Sequence, residues 1–445
     1  MNFSDVMLYT ISVIYAGQIR GELMSISTEQ FLKLIDDRKD ELFSILREMI
    51  HIDSQNFMDG TGREEAMANH LTDVFKNMGL EPDVFSPLDE GIESHPEYFP
   101  GRHLENRPCC VAVFPGSDHS KRIMLAGHED TVIVGDPSRW TKDPFGGEIA
   151  DGKLYGRGSG DDKVGIAVPV FLCKLFKESG IVLPYDIVIA GYSDEENGGS
   201  NGALAVNLRY PCDEALNLDG EMLDITCAGA GGGDFKVVFK CDEYCDSAAN
   251  VLDAFDIFRK EMLSFKADRQ AEFEANPLFK DTEIPYTTLR YLDIKSGFEE
   301  SAMDRLEALV EFYTVHDKET TFKQFENIKA SVNDKCKDLN VHIESWEMAT
   351  RFFSFTENIH EGSKAFNILH DAVETVTGED KKPIGMCLSD FPMFTNYGTP
   401  TAMTFGCGRF FDMEGGAHQF DEYIECDKLV EFTKIIALFL LNYKF

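Results

Sequence analysis

Hydrophobic residues recur at helical spacing from Thr28 to Ile52 and again from Glu64 to Met78, and predict amphipathic helices at both places. Beyond them the pattern changes. Short apolar runs at Cys109–Phe114, Arg122–Leu125, Ile187–Gly191 and Glu214–Asn217 read as strands, with helical periodicity at Val164–Lys177 and Gly202–Leu208. Strands alternating with helices predict an α/β sheet with both faces covered. Past Gly229-Ala230-Gly231-Gly232-Gly233 the style shifts again. Phe235–Phe239, Ala308–Val315 and Asn340–Ser345 read as strands, and Ala248–Leu263 and Phe322–Cys336 as helices, which predicts a small α+β unit with the glycine run as its hinge. The first style then returns in a helix at Lys364–Val376, a strand at Ala402–Phe405 and a closing helix at Cys426–Leu441. The expected division is a large domain made of 1–229 and 348–445, with 230–347 inserted into it.

A chain of 445 residues is long enough for two such domains. Its charge is lopsided: 42 Lys and Arg against 78 Asp and Glu leave a formal net charge of -36. That field repels a phosphate backbone and an anionic bilayer, so neither nucleic acid nor membrane is expected as a partner. The acid excess serves solubility and marks no site by itself. The 11 cysteines lack the paired spacing of a zinc knuckle and read as free thiols of a reducing compartment. The apolar run Val6–Ala16 has no basic residue ahead of it and is too short to span a bilayer, so it is expected to pack on the domain surface. A soluble cytoplasmic enzyme is the expectation.

Polar residues with chemical potential stand just past the ends of the short strands, where the loops of an open α/β sheet converge on a crevice. His128-Glu129-Asp130 follows the apolar run Ile123–Ala126, and a carboxylate two residues from a histidine can orient its ring toward a metal. In Gly156-Arg157-Gly158-Ser159-Gly160-Asp161 an aspartate stands where the third glycine of a dinucleotide fingerprint belongs, so NAD is not expected. Asp161 could equally cap the helix that follows. Ser193-Asp194-Glu195-Glu196-Asn197-Gly198-Gly199 carries three consecutive carboxylates, which repel one another unless cations or hydrogen bonds compensate. Asp219 repeats the design of apolar strand, acid and glycine, and His418 lies in a Gly-rich run before the closing helix. Taken singly, these could be a chance His-x-Asp, a helix cap, an acidic surface turn and a surface histidine. Together they form an N/O ligand set suited to zinc, cobalt or manganese, with no cysteine beside it, and with more ligands than one metal needs. The surplus fits a two-metal clamp sharing one carboxylate.

With these segments the chain resembles the M20 metallopeptidase family, which includes glutamate carboxypeptidases, dipeptidases, aminoacylases and deacylases. The resemblance runs through Glu105-Asn106-Arg107-Pro108, Gly127–Val132, Trp140 with Asp143-Pro144-Phe145, Asp151-Gly152-Lys153, Leu154–Lys163, Ser193–Gly199 and His418 with Asp421-Glu422. It implies a zinc-peptidase-like α/β domain with a central mixed sheet, and an inserted smaller α+β lid through which a homodimer forms. It also implies two divalent ions per chain, zinc first, with Co2+ or Mn2+ able to replace it. His128, Asp161 and Asp219 resemble the ligands of one ion, and Asp161, Glu196 and His418 those of the other, with Asp161 bridging. Asp130 resembles the carboxylate behind His128, and Glu195 the general base.

The family's Asp at the position of Asp219 leans toward peptide cleavage, since many of its deacylases have Glu there. Hydrolysis of a short peptide is therefore the first expectation and removal of an acyl group from an N-acyl amino acid the second. Two features of the family are missing. The stretch Phe235–Tyr244 has no histidine, and the usual substrate-binding arginine of the inserted domain has no clear match. His316 could substitute for the histidine, although a surface histidine at a strand end is the stronger reading of it, and Gly408 is a further candidate for substrate contact. The losses leave room for a third reading, a metal-containing binding protein, against which the intact Glu195 counts.

Overall fold

The computed structural model describes residues 26–241, 249–299, 302–358 and 362–445. The run Val6–Ala16 lies outside the described residues. The chain divides into two compact units. One comprises Met1–Ile225, Ile359–Lys382 and Met393–Phe445, the other Thr226–Asn358 and Pro383–Pro392. Among the described residues no helix is long and apolar enough to cross a membrane.

The first unit is an α/β layer structure around a mixed sheet. Its opening helix, Thr28–Asp37, begins at a capping box in which Ser27 and Gln30 satisfy each other's backbone N–H groups. The single helix expected from Thr28 to Ile52 is in fact two, because Arg38 leaves helical geometry at φ -113° before Lys39–Ile50 resumes. Six strands lie side by side in the order Pro82–Phe85, Cys109–Phe114, Asp186–Tyr192, Arg122–His128, Glu214–Asn217 and Met403–Thr404. The first two junctions are antiparallel and the other three parallel. Asp186–Tyr192 is buried along its whole length, as a strand covered on both faces must be. Lys163–Ser179, the most apolar helix after the closing one, is buried along almost all of its length and ends on Gly180 in the left-handed conformation that suits a helix C-terminus. Parallel strands that share a direction deliver their following loops to one edge, which brings His128, the Asp194–Asn197 turn and Asp219 together.

The second unit holds a four-stranded antiparallel sheet in the order Leu289–Glu299, Ala302–Thr314, Gly231–Cys241 and Val341–Met348. The helices Ala249–Ala275 and Lys318–Lys335 cover it. Its core is dominated by aromatic rings, among them Phe235, Phe239, Phe258, Phe312 and Phe325. The glycine run expected to be a hinge is the first part of a strand. A Cβ at Gly232 would lie 2.0 Å from the Phe312 carbonyl oxygen, and Gly232 has φ +130°, so the glycines let two backbones approach rather than swing. Gly232→Ala is therefore expected to cost more than about 1 kcal/mol of stability, read as a lowered midpoint in thermal unfolding. Pro383–Pro392 joins this unit, a return not announced by the hydrophobic pattern; Pro383–Met386 pairs with Ile225–Gly229, and the Gly385 amide donates to Leu278 O at 2.7 Å.

Among the described residues Cys241 is disulfide-bonded, which corrects the reading of all the thiols as free.

Candidate metal centre

His128 is the last residue of its strand and is fully buried. Its Nε2 lies 2.9 Å from Asp161 Oδ1 and 3.8 Å from Asp219 Oδ1. On its other side Nδ1 sits 2.9 Å from the backbone carbonyl of Asp130, whereas the Asp130 carboxylate is 3.8 Å away. The part expected of that carboxylate therefore falls to the carbonyl. In the neutral ring Nδ1–H donates to it and Nε2 is left as the ligand atom. The Asp130 carboxylate instead accepts from the amides of Glu195 at 3.2 Å and Glu196 at 2.9 Å, which fixes the next loop.

Asp161 stands between two imidazoles, with His418 Nε2 3.3 Å from Oδ2. His418 also approaches Glu196 Oε2 at 3.0 Å, while Glu196 Oε1 accepts from the Val132 amide at 2.9 Å. The helix cap that Asp161 could have supplied belongs to Asp162. Asp162 accepts from the amides of Gly165 at 3.1 Å and His128 at 3.2 Å, leaving Asp161 free to face the histidines. The Asp161–Asp162 peptide is cis.

Two sets of residues bring one ligand atom each within 4.8 Å of one another: His128, Asp161 and Glu196, and His128, Asp162 and Asp219. They are two candidate metal-binding clusters that share His128. The oxygens of Asp162 already hold backbone N–H groups, so its work is structural. Asp162→Ala is expected to cost about 1–2 kcal/mol as a lost cap, seen in urea unfolding, with the metal content unchanged.

The electrostatics suit a cation. Burial pushes the Asp219 carboxyl up to about 7, His128 opposes the rise, and Asp161 and Glu196 add to it. Burial disfavours the His128 cation, yet Asp161, Asp219 and Glu195 together hold its pKa well above the ordinary range. His418 is raised in the same way by Glu196 and Asp161. The carboxylates thus require positive charge beside them. Protons on two imidazoles can supply it, and so can divalent ions with the imidazoles neutral. The nitrogen and carboxylate oxygen donors gathered around His128 and Asp161 fit such ions.

The compensation demanded by three adjacent acids is visible in the loop itself. Asp194 is held by Arg102 at 2.8 Å and Arg107 at 2.6 Å, Glu196 faces His418, and Glu195 is half-buried beside them. Glu422, part of the family signature but without a role in it, is buried. It accepts from the amides of Gly160 at 3.0 Å and Asp161 at 3.3 Å and pairs with Arg157 at 2.5 Å. Nothing in the local pattern distinguished it from any acid before a helix. Gly408 donates to Gly220 O at 3.0 Å and accepts from the Met222 amide at 3.0 Å, and a Cβ on Gly160 would meet its Cα at 3.4 Å. Its smallness lets the Asp161 and Asp219 loops close on each other. His316 belongs to the second unit, where its Nε2 lies 3.1 Å from Glu272 Oε1 and its amide donates to Thr314.

A buried strand-end histidine, a second histidine on the shared aspartate and converging carboxylates define a metal-dependent hydrolase. The chain belongs to peptidase family M20/M25/M40, whose model matches residues 124–442. An uncharacterized metallohydrolase of Methanocaldococcus jannaschii is 26% identical over 344 residues, 71% of this chain and 79% of that protein. A succinyl-diaminopimelate desuccinylase of Rhodospirillum centenum is 42% identical over 89 residues, a match spanning 20% of this chain and only 23% of the desuccinylase. Among solved structures, the di-peptidase Dug1p of Saccharomyces cerevisiae superposes with a TM-score of 0.71 at 18% identity, covering 93% of this chain and 98% of that one. The protein is accordingly a metallohydrolase of amide bonds with the family's α/β fold and additional smaller domain.

Proposed function

We propose that the protein removes the acyl group from an N-acyl amino acid by hydrolysing its amide bond. The supporting observation is the local match to a desuccinylase, 42% identical over 89 residues, which shifts the lean drawn from Asp219 away from peptides. Hydrolysis of a short peptide is the second reading, favoured by Asp219 itself.

In this reading His128, Asp161 and Asp219 hold one divalent ion and Asp161, Glu196 and His418 the other, with zinc as the first expectation. When bound, the pair supplies Lewis-acid polarisation of the scissile carbonyl and acidifies the attacking water. Glu195 is the base: it takes the proton of that water and passes it to the departing nitrogen, so one carboxyl serves both transfers. The backbone amides of Glu195 and Glu196 are tied to one Asp130 carboxylate, so the proton acceptor and the neighbouring ligand hold a fixed spacing. The Asp130 carbonyl keeps the His128 ring turned so that Nε2 faces Asp161.

A panel of N-acyl amino acids and dipeptides, run on the metal-loaded protein, tests the choice. N-acyl amino acids are expected to give the higher kcat/KM. Preference for dipeptides would restore the peptidase reading, and hydrolysis of neither with two metals bound would favour a binding protein.

A further inference from the structure

Arg102 belongs to none of the segments singled out above, yet its side chain is only 4% exposed and reaches three parts of the site. Its Nε donates to Asp194 Oδ1 at 2.8 Å, and its Nη2 donates to Asn56 Oδ1 at 2.7 Å and to the Glu196 carbonyl at 3.3 Å. Asn56, fully buried, continues the chain of bonds: its Nδ2 donates to Asp130 Oδ2 and to the Glu196 carbonyl, both at 2.7 Å. Asp130 closes the circuit by accepting the Glu195 and Glu196 amides. The turn they grip needs holding. Asp194 at φ 65° and Asn197 at φ 61° both stand in the left-handed region, which non-glycine residues keep only when their surroundings compel it.

Charge neutralisation of Asp194 does not explain Arg102, because Arg107 already approaches the same oxygen at 2.6 Å. What Arg102 adds is a planar fork that spans Asp194, Asn56 and a main-chain carbonyl, a geometry that an ammonium cannot copy. We propose that Arg102 and Asn56 act as one positioning pair that locks the Glu195–Glu196 turn, so that the base and its neighbouring ligand face the site together. The proposal rests on Glu195 being the base, and it concerns the backbone frame rather than any contact with substrate.

The test compares Arg102→Lys, Arg102→Gln, Asn56→Ala and the double variant Asn56→Ala with Arg102→Gln. Each variant is measured for metal content, kcat, KM and hydrogen exchange of the protein as purified. Each single variant is expected to lose roughly 10- to 100-fold in kcat, as misplacement of a reacting group does, with KM and metal content unchanged. The double variant is expected to be no worse than the poorer single one, and exchange is expected to quicken in the 193–200 segment alone. Wild-type kcat in Arg102→Lys would overturn the proposal by reducing the role to charge. Losses that multiply in the double variant, or faster exchange throughout the chain, would overturn it by showing independent or general destabilisation. If the wild type hydrolyses no amide, the functional reading fails, while the exchange pattern still decides whether the pair locks the turn.

Discussion

Glu195→Gln is expected to keep both metal ions and lose roughly 10²–10⁴-fold in kcat, the range general acid–base assistance supplies. Glutamine has the same length and one oxygen acceptor, so the turn and its bonds to Asp130 survive. It cannot take the proton of the attacking water near neutral pH, and without that proton it has none to give the leaving nitrogen. Both transfers are lost at once, which puts the expectation at the upper end. Glu196→Gln should differ, because Glu196 Oε2 lies 3.0 Å from His418 and Glu196 belongs to a candidate metal-binding cluster. A neutral amide binds a divalent ion less well, so this variant should lose metal first and activity as a consequence. The opposite pattern, with metal lost in the first variant and retained in the inactive second, would reverse the two roles. Elemental analysis beside initial rates reads both.

Asp161→Asn is expected to empty both positions. Asp161 lies 2.9 Å from His128 and 3.3 Å from His418, in contact with both imidazoles. Removing its charge weakens both ligand sets, while the cap made by Asp162 and the bonds to Glu422 remain to hold the loop. Metal chemistry supplies several kcal/mol of transition-state stabilisation, and about 4 kcal/mol corresponds to a loss near 10³-fold. Retention of one ion at full occupancy would show that the two ions do not share this aspartate.

Much of this was readable along the chain, for identifiable reasons. His128, Asp161, Glu196 and Asp219 each follow a short apolar run or a Gly-rich turn, and parallel strands carry such positions to one edge. His418 is another matter, since its segment lies about two hundred residues further on and local pattern gave it no more than a surface role. Residue type alone put it in the ligand set, and the resemblance gave it a place there. The break at Arg38 left no trace because neither glycine nor proline marks it. The strand Leu289–Glu299 was missed because its stretch 292–296 is exposed and mixes charged with apolar side chains, as an edge strand does. The glycines at 231–233 misled because glycine marks both turns and close backbone contacts. Arg102 and Asn56 were invisible for a deeper reason. Each acts through bonds to segments far away in sequence, and an isolated arginine in a loop has no pattern.

The central claim is that this chain cleaves an amide bond with two divalent ions held around Asp161. The most direct measurement is metal content and N-acyl amino acid hydrolysis on one preparation, before and after chelation and again after zinc is restored. The account predicts about two ions per chain, activity that vanishes with them and returns as the second is replaced. Full activity in metal-free protein would contradict it.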